Sequence, residues 1–190
     1  MQQILIKTKQ EKKQKRNRYI IFFSTLIYLS VLIVGYLNLV RIQDYFKLRN
    51  YYPPTAVSDL ATQDTMNSYT RHLFYLNKPK ILDTVDSFRS YCSETKNIIV
   101  LGCYQLGQKG IYLYKVDNPL LSGINQVTAA HEVLHSVYER LSDSDRKKLN
   151  SDLQYFYDHE LTDTNVKAEV ALYIKYEPNS VYDEMSCTFG

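Results

Sequence analysis

Residues 19–40 form an apolar stretch of 22 residues without a charge, which constrains the fold of this chain more than any other feature. A helix of that length extends about 33 Å at ~1.5 Å per residue, enough for a hydrocarbon core of roughly 30 Å. Tyr19 and Tyr36 stand near its ends, where aromatic rings suit the membrane interface. The alternative is a buried core helix, but a small soluble domain has little use for a helix that is apolar all round. We therefore predict a transmembrane helix.

The 18 residues before this stretch hold seven basic residues and one acidic residue, a local charge of +6. Three basic residues follow the stretch at Arg41, Lys47 and Arg49. The positive-inside rule therefore predicts a cytoplasmic N-terminus, with the rest of the chain outside the cell membrane. A cleaved signal peptide is the alternative, but the apolar stretch is long and no A-x-A-like site follows it. The basic tail would then lie against anionic lipid head groups, or serve as a topology signal and nothing more. Membrane lipid is a predicted partner through the N-terminal anchor.

The charge of the remaining chain differs from that of the tail. Residues 19–190 hold 16 basic and 19 acidic residues, a net charge of −3, whereas the whole chain carries +3. A slightly acidic body lacks the basic face that nucleic acid requires, so we expect no nucleic-acid partner. Pro53 and Pro54 end any helix that continues from the membrane. We predict a stalk over residues 41–57 and a folded domain over residues 58–190; the sequence gives no oligomeric state.

Apolar runs and turn residues predict an α+β domain in which a small sheet precedes several helices. Residues 73–76 indicate a strand, with a helix end as the alternative, and residues 81–91 indicate a short helix that carries Leu82. Residues 97–104 and 111–116 are rich in β-branched residues around a turn-rich connection, which predicts a β-hairpin. Helices are predicted over residues 124–141, 143–160, about 163–176 and 180–189.

Three cysteines occur in the chain, Cys92, Cys103 and Cys187. A Cys92–Cys103 bridge is consistent with a domain outside the cytoplasm, and three reduced thiols are the alternative. Cys187 has no pairing partner in this scheme.

The residues that carry chemistry lie in the predicted helix over residues 124–141, as His131-Glu132-Val133-Leu134-His135. Histidines at i and i+4 share one face of a helix, so both imidazoles can reach one zinc ion. Glu132 follows the first histidine and can reach a water in the open position of the metal. Apart from Glu132, residues 127–138 carry no charge, which indicates a buried helix. Two ordinary core histidines beside a surface glutamate are the alternative.

With this H-E-x-x-H helix between a predicted hairpin and later helices, the chain resembles the zincin metallopeptidases. The resemblance implies a zincin-like domain with Zn²⁺ as cofactor, His131 and His135 as ligands, and Glu132 as general base. It also implies that an edge strand of the sheet binds extended substrate. The region from about residue 70 to residue 190 is similar to small membrane-anchored bacterial proteins of this type.

A catalytic zinc site usually has a third protein ligand. The metzincin continuation is absent, but Glu184 resembles the glutamate on a second helix that completes the site in gluzincins. Asp183 replaces the asparagine that precedes that glutamate in the family. Glu184 also stands six residues before the end of the sequence, where a terminus frays, so we expect either a longer natural chain or another ligand. The rival candidates are Glu169, beside an apolar stripe, and His159 or Glu160 at the end of a polar helix.

These residues predict a membrane-anchored zinc peptidase, an endopeptidase that acts outside the cytoplasm on a peptide or protein substrate. A zincin scaffold with a structural zinc, used as a non-catalytic cell-surface interaction module, is one alternative. A membrane subunit in which H-E-x-x-H is accidental is another. Tyr138, Tyr176 and Tyr182 are candidates for stabilising the oxyanion of the tetrahedral intermediate, and their spacing does not choose among them.

Overall fold

A computed structural model describes residues 2–92, 100–107 and 109–189, with side chains from residue 12 onward. The chain divides into two units, Met1–Asn50 and Tyr51–Gly190. The first unit is helical, with α1 at Gln2–Leu37 and α2 at Leu39–Leu48. Within α1, Lys12–Leu37 is long and apolar enough to cross a membrane, with a mean hydropathy of 2.3 over its most apolar window. Its hydroxyl groups bond to carbonyls one turn earlier, as Ser24 Oγ does to Ile21 O at 2.8 Å, which suits an apolar surrounding.

The second unit is mostly helical with a small sheet. In chain order its elements are α3 (Thr55–Gln63), α4 (Ser68–Leu76), β1 (Lys80–Leu82), α5 (Val85–Arg89), β2 (Gly102–Gln105), β3 (Gly110–Tyr114), a 3₁₀ turn (Pro119–Leu121), α6 (Ile124–Glu139), α7 (Asp143–His159), α8 (Thr164–Tyr176) and α9 (Val181–Phe189). The small sheet and the four later helices agree with the coarse α+β prediction.

The sheet has three strands in the order β1-β3-β2. β2 and β3 form the predicted antiparallel hairpin, with Cys103 opposite Tyr112. β1 runs parallel to β3, with Lys80 opposite Tyr112. Among the strands that the structure describes, β2 therefore lies at one edge of the sheet. Of the predicted strand over residues 97–104, the part before residue 100 lies outside the described residues.

Helix α6 lies at the centre of the second unit, where it contacts α3, α4, α9 and the two hairpin strands. Its buried side includes Ala129 and Val133, which are 0% and 1% exposed. The buried Asn77 links three elements, because its Nδ2 donates to Leu73 O in α4 and to Ser136 Oγ in α6, while its backbone carbonyl accepts from Ile111 N in β3. These bonds satisfy polar groups that would otherwise destabilise the interior. The sheet, α4 and α6 are thus held in one arrangement.

The last three helices pack on one another around Leu153, Val170 and Met185, all of which are buried. Side chains cap the starts of α7 and α8. Ser142 Oγ accepts from Asp145 N at the start of α7, and Asp163 Oδ1 accepts from Asn165 N at the start of α8. This packing places α9 against α6.

Two first choices of local structure were wrong. Residues 73–76 form the end of helix α4, which was the alternative to a strand, because Asn67 caps a helix that starts upstream and buries Leu73, Phe74 and Leu76 on one side. Four residues are too few to show that helical period. Leu82 lies in β1 and not in the helix predicted over residues 81–91, which is confined to Val85–Arg89. Pairing with β3 decides the conformation of Leu82, and that pairing leaves no local signal.

The structure joins Cys92 and Cys103 in a disulfide, the first of the two alternatives. The bridge connects the segment after α5 to β2, and Phe88 and Tyr112 pack around Cys92. Cys187 is a free, buried thiol.

Candidate metal centre

Helix α6 presents His131 and His135 side by side, as the i, i+4 spacing predicts. Their ring centroids are 4.9 Å apart, with the ring planes at 81°. The side chain of His131 is 27% exposed and that of His135 is 10% exposed, so the pair lies at the boundary between core and solvent. Such a position lets an ion enter while the protein holds the rings.

Helix α9 brings Glu184 to the same two rings. Glu184 Oε2 lies 3.5 Å from His131 Nε2, and Glu184 Oε1 lies 3.8 Å from His135 Nε2. Two ligand atoms bound tetrahedrally to zinc at about 2.0–2.2 Å are roughly 3.3–3.6 Å apart. The two separations are therefore close to those of a zinc site, and two imidazole nitrogens with one carboxylate form a donor set that suits this ion. His131, His135 and Glu184, the three predicted ligands, lie together.

The other ring nitrogen of His135 faces two further side chains of α9. Asp183 Oδ1 lies 2.9 Å from His135 Nδ1, and Cys187 Sγ lies 3.4 Å from the same nitrogen. Burial opposes a charged ring, but the hydrogen bonds to Asp183 and Cys187 prevail and raise the pKa of His135 to about 11. A carboxylate that accepts from Nδ1–H orients the ring so that Nε2 can bind a metal, which displaces the Nε2 proton. Asp183 thus orients His135, a predicted ligand.

Cys187 enlarges the set of possible donors. His131, His135 and Cys187 offer ligand atoms that all lie within 4.8 Å of one another, so this group could hold a metal ion. Burial raises the pKa of the Cys187 thiol, which disfavours the thiolate that metals bind. The sequence interpretation overlooked this residue. The one indication in the sequence was its spacing from Glu184, because residues three apart share one face of a helix.

Glu132 lies in the same cavity as the two histidines and is 5% exposed. Burial, opposed by the neighbouring His135 and His131, raises the pKa of this carboxyl to about 7. The Tyr104 backbone N–H of β2 donates to it and favours its ionised form. A carboxyl group with this pKa can both accept and return a proton near neutral pH.

The cavity has a volume of about 450 Å³ and both apolar and polar lining residues. Its apolar residues include Val100, Leu101 and Leu106, next to β2, and Val127 of α6. Polar residues in and after α8 include Glu169, Glu177 and Ser180, with Tyr173 beside them. The two histidines, Glu132 and Glu184 also border the cavity.

The rival candidates for the third ligand lie in different places. Glu169 borders the cavity, but its Oε1 accepts a hydrogen bond of 3.0 Å from Tyr173 Oη. His159 and Glu160 lie at the end of α7, are exposed, and are not among the cavity residues. His159 Nδ1 lies 3.0 Å from Tyr155 O, within its own helix. Of the four candidates for the third position, Glu184 alone is placed against both histidines among the described contacts.

The tyrosine that borders the cavity beside Glu184 is Tyr173, which the sequence interpretation did not name. Tyr138 Oη donates to Asn150, and Tyr182 Oη donates to Gln154, so both hydroxyls are directed to α7. Tyr173 is 7% exposed, and burial with the nearby Glu169 raises the pKa of its phenol, which keeps it a hydrogen-bond donor. Its position four residues after Glu169 could have indicated this, because residues four apart on a helix lie side by side.

Gly102 allows β2 to approach α6 closely. A Cβ atom at this position would lie 2.6 Å from both Glu132 Oε1 and Thr128 Cγ2. We expect Gly102→Ala to displace Glu132 and lower kcat/KM for any reaction that uses it by more than about tenfold. The free energy of unfolding should fall by about 1–3 kcal/mol, as for other overpacked sites.

The matched control is Gln105→Ala in the same strand, because Gln105 bonds to Tyr91 O and does not border the cavity. Kinetics and thermal unfolding of both variants check the prediction. Full activity in Gly102→Ala would show that the close approach of β2 to Glu132 is not needed.

No family model, curated protein or solved structure matches this chain.

Proposed function

We propose that this chain is a membrane-anchored zinc peptidase of the zincin type, with a gluzincin-like ligand set. The observation that carries the proposal is the placement of Glu184 against the Nε2 atoms of both His131 and His135, with Glu132 in the same cavity. His131, His135 and Glu184 hold the ion, and Asp183 orients His135 through Nδ1.

When bound, zinc supplies a Lewis acid that lowers the pKa of a coordinated water toward about 7. Glu132 takes the proton from the attacking water and delivers it to the leaving amine. Tyr173 would donate toward the oxygen that becomes negative as the peptide carbonyl is attacked by turning its hydroxyl hydrogen away from Glu169 Oε1, its acceptor in this structure. Glu132 and Tyr173 are both buried, and the exclusion of water strengthens these interactions.

The edge position of β2 supports an extended peptide as the substrate. β2 pairs with β3 on one side and borders the cavity on the other. A peptide added along that edge would use main-chain hydrogen bonds and pass beside Glu132. The basic tail and the apolar α1 support a membrane anchor with a cytoplasmic N-terminus and a catalytic domain outside the cell.

A second candidate function rests on Cys187. Zinc held by His131, His135 and Cys187 would be a structural ion, and the domain would then be an interaction module at the cell surface. In this candidate function the buried Glu132, whose pKa is raised, would have no role, although burying a carboxylate is costly. We therefore favour the peptidase.

The test of the proposal is removal and return of the metal. The full chain, purified in detergent without chelator, should contain about one zinc per chain and cleave an unstructured protein substrate. Dialysis against a chelator should abolish cleavage, and stoichiometric Zn²⁺ should restore it. Metal analysis by mass spectrometry and cleavage assays report the two quantities independently. A metal-free preparation with full activity would refute the proposal.

A further inference from the structure

Glu139 is the last residue of α6, and its carboxylate binds the β2–β3 hairpin with both oxygens. Tyr104 Oη donates to Glu139 Oε2, and the backbone N–H of Gly107 donates to Glu139 Oε1 at 2.9 Å. Tyr104 lies in β2, and Gly107 lies in the turn that follows it. Glu139 is not among the described residues that border the cavity, so the proposed chemistry gives it no role. One side chain of α6 thus holds the hairpin at two points.

Tyr104 also contacts two residues of the proposed site. Its ring stacks on that of His135, with the ring centroids 6.2 Å apart and the ring planes at 14°. Its backbone N–H donates to Glu132. Residues 132, 135 and 139 are three and four positions apart, so they lie along one face of α6, and Tyr104 contacts all three. A displacement of Tyr104 would therefore affect the predicted base and a predicted ligand together.

The position of β2 also sets the edge to which a peptide would be added. Leu101 O accepts from Tyr114 N of β3 at 2.8 Å. Bonds to a neighbouring strand alternate along an antiparallel pair, so Gly102 and Tyr104 direct their backbone N–H and C=O groups to the open edge. The bond from Tyr104 N–H to Glu132 agrees with that direction. A shift of β2 along α6 would move this bond and the open edge by the same amount.

Other contacts hold β2 on its opposite face. Side chains alternate along a strand, so those of Cys103 and Gln105 point away from the side occupied by Tyr104. Cys103 forms the disulfide with the segment after α5, and Gln105 Nε2 donates to Tyr91 O at 3.1 Å. These contacts and the pairing with β3 do not involve Glu139. Loss of the Glu139 carboxylate should therefore release the hairpin from α6 without unfolding it.

We propose that Glu139 is a positioning residue, a latch that fixes the β2–β3 hairpin against α6 and so holds Tyr104 against Glu132 and His135. Glu139 acts through Tyr104 and not on the substrate. The hairpin is then the element through which the activity of the site can be controlled, because its release displaces Tyr104. This inference rests on the proposed peptidase function, since it concerns the control of the same cavity.

The test measures the latch and the turnover separately on the full-length, zinc-loaded chain in detergent. Hydrogen–deuterium exchange with mass spectrometry reports the opening of residues 102–107. Kinetics with an unstructured protein substrate report kcat and KM. The variants are Glu139→Ala, Glu139→Gln and Tyr104→Phe. Glu160→Ala, which removes an exposed carboxylate directly after α7, is the matched control.

We expect Glu139→Ala to raise the exchange rate of residues 102–107 by about tenfold or more, because the hairpin then opens locally. It should lower kcat by about 10–100-fold, with a smaller change in KM and the same zinc content. Glu139→Gln can still accept from the Gly107 N–H and bond to Tyr104 Oη, so it should keep kcat within about threefold of wild type. The control should match wild type in both measurements.

Tyr104→Phe keeps the ring beside His135 and removes only the hydroxyl bond, so its effect should lie between those of Glu139→Gln and Glu139→Ala. Adding it to Glu139→Ala should lower kcat by no more than about twofold further, because both substitutions remove the same bond. A merely structural effect of either substitution would not produce this pattern. If Glu139→Ala does not fold, raised exchange and a lower kcat in Tyr104→Phe remain the required result.

Four results would overturn the inference. They are unchanged exchange in Glu139→Ala, wild-type kcat despite raised exchange, loss of zinc together with activity, and an equal loss of activity in Glu139→Gln and Glu139→Ala. If wild type and Glu139→Ala cleave the substrate equally, the latch is refuted while the peptidase stands. If wild type cleaves nothing, the peptidase is refuted, and the exchange data alone decide whether Glu139 holds the hairpin.

Discussion

Replacing Glu132 with Gln should abolish peptide hydrolysis and leave zinc bound. Glutamine keeps the size of the side chain and its hydrogen bond from the Tyr104 backbone N–H, but it cannot accept a proton. General acid–base catalysis contributes about 10²–10⁴-fold, so we expect kcat/KM to fall by about 10³-fold or more. Kinetics with the unstructured substrate and metal analysis of the same preparation check both parts of the prediction.

Loss of folding cannot explain this effect, because the substitution removes a buried carboxyl whose pKa is raised to about 7. Thermal unfolding of the metal-free Glu132→Gln chain should occur at the same or a higher temperature than that of wild type. Glu160→Gln, exposed at the end of α7, should leave activity unchanged and is the control for loss of a carboxylate. Hydrolysis by Glu132→Gln at the wild-type rate would rule out Glu132 as the general base.

The sequence predicts the elements of this site better than their arrangement. The i, i+4 histidines and the uncharged neighbours of Glu132 are sufficient to predict α6, because a helical period is a local property. The bonds that join α6 to α9 span much longer separations, 48 residues for Asp183 and 52 for Cys187. No periodicity encodes such contacts, so the orientation of His135 by Asp183 became visible only in the structure.

The same distinction applies to the cavity walls and the sheet. Glu184 was predicted through resemblance to a family pattern, whereas Tyr173 belongs to no such family pattern and was missed. Its value to the site comes from the packing of α8 against α9, which buries it beside Glu184. β1 was missed for a related reason, since three residues gain strand conformation only by pairing with β3. Nothing in the sequence around Gly102 indicates that α6 packs so closely against it that a Cβ atom would not fit.

Substitution of the third ligand should distinguish the two donor sets. Glu184→Gln removes the carboxylate that faces both Nε2 atoms, so we expect zinc affinity to fall by more than about 100-fold and hydrolysis to be lost. Cys187→Ser removes a thiol on the Nδ1 side of His135, and we expect zinc affinity to change by less than about tenfold. Competition with a chelator of known affinity measures both values.

Asp183→Asn provides an intermediate case, because Asp183 orients His135 through Nδ1 without facing Nε2. Loss of such a partner typically costs about 10–100-fold in metal affinity, so this variant should rank between the other two. Cobalt substitution adds a spectroscopic check, since a thiolate ligand produces a charge-transfer band that carboxylate and imidazole ligands lack. The band should be absent from wild type. A band that disappears in Cys187→Ser, with zinc retained in Glu184→Gln, would instead establish the structural zinc site. Glu184 would then be left near the histidines as a neighbour and not as a ligand.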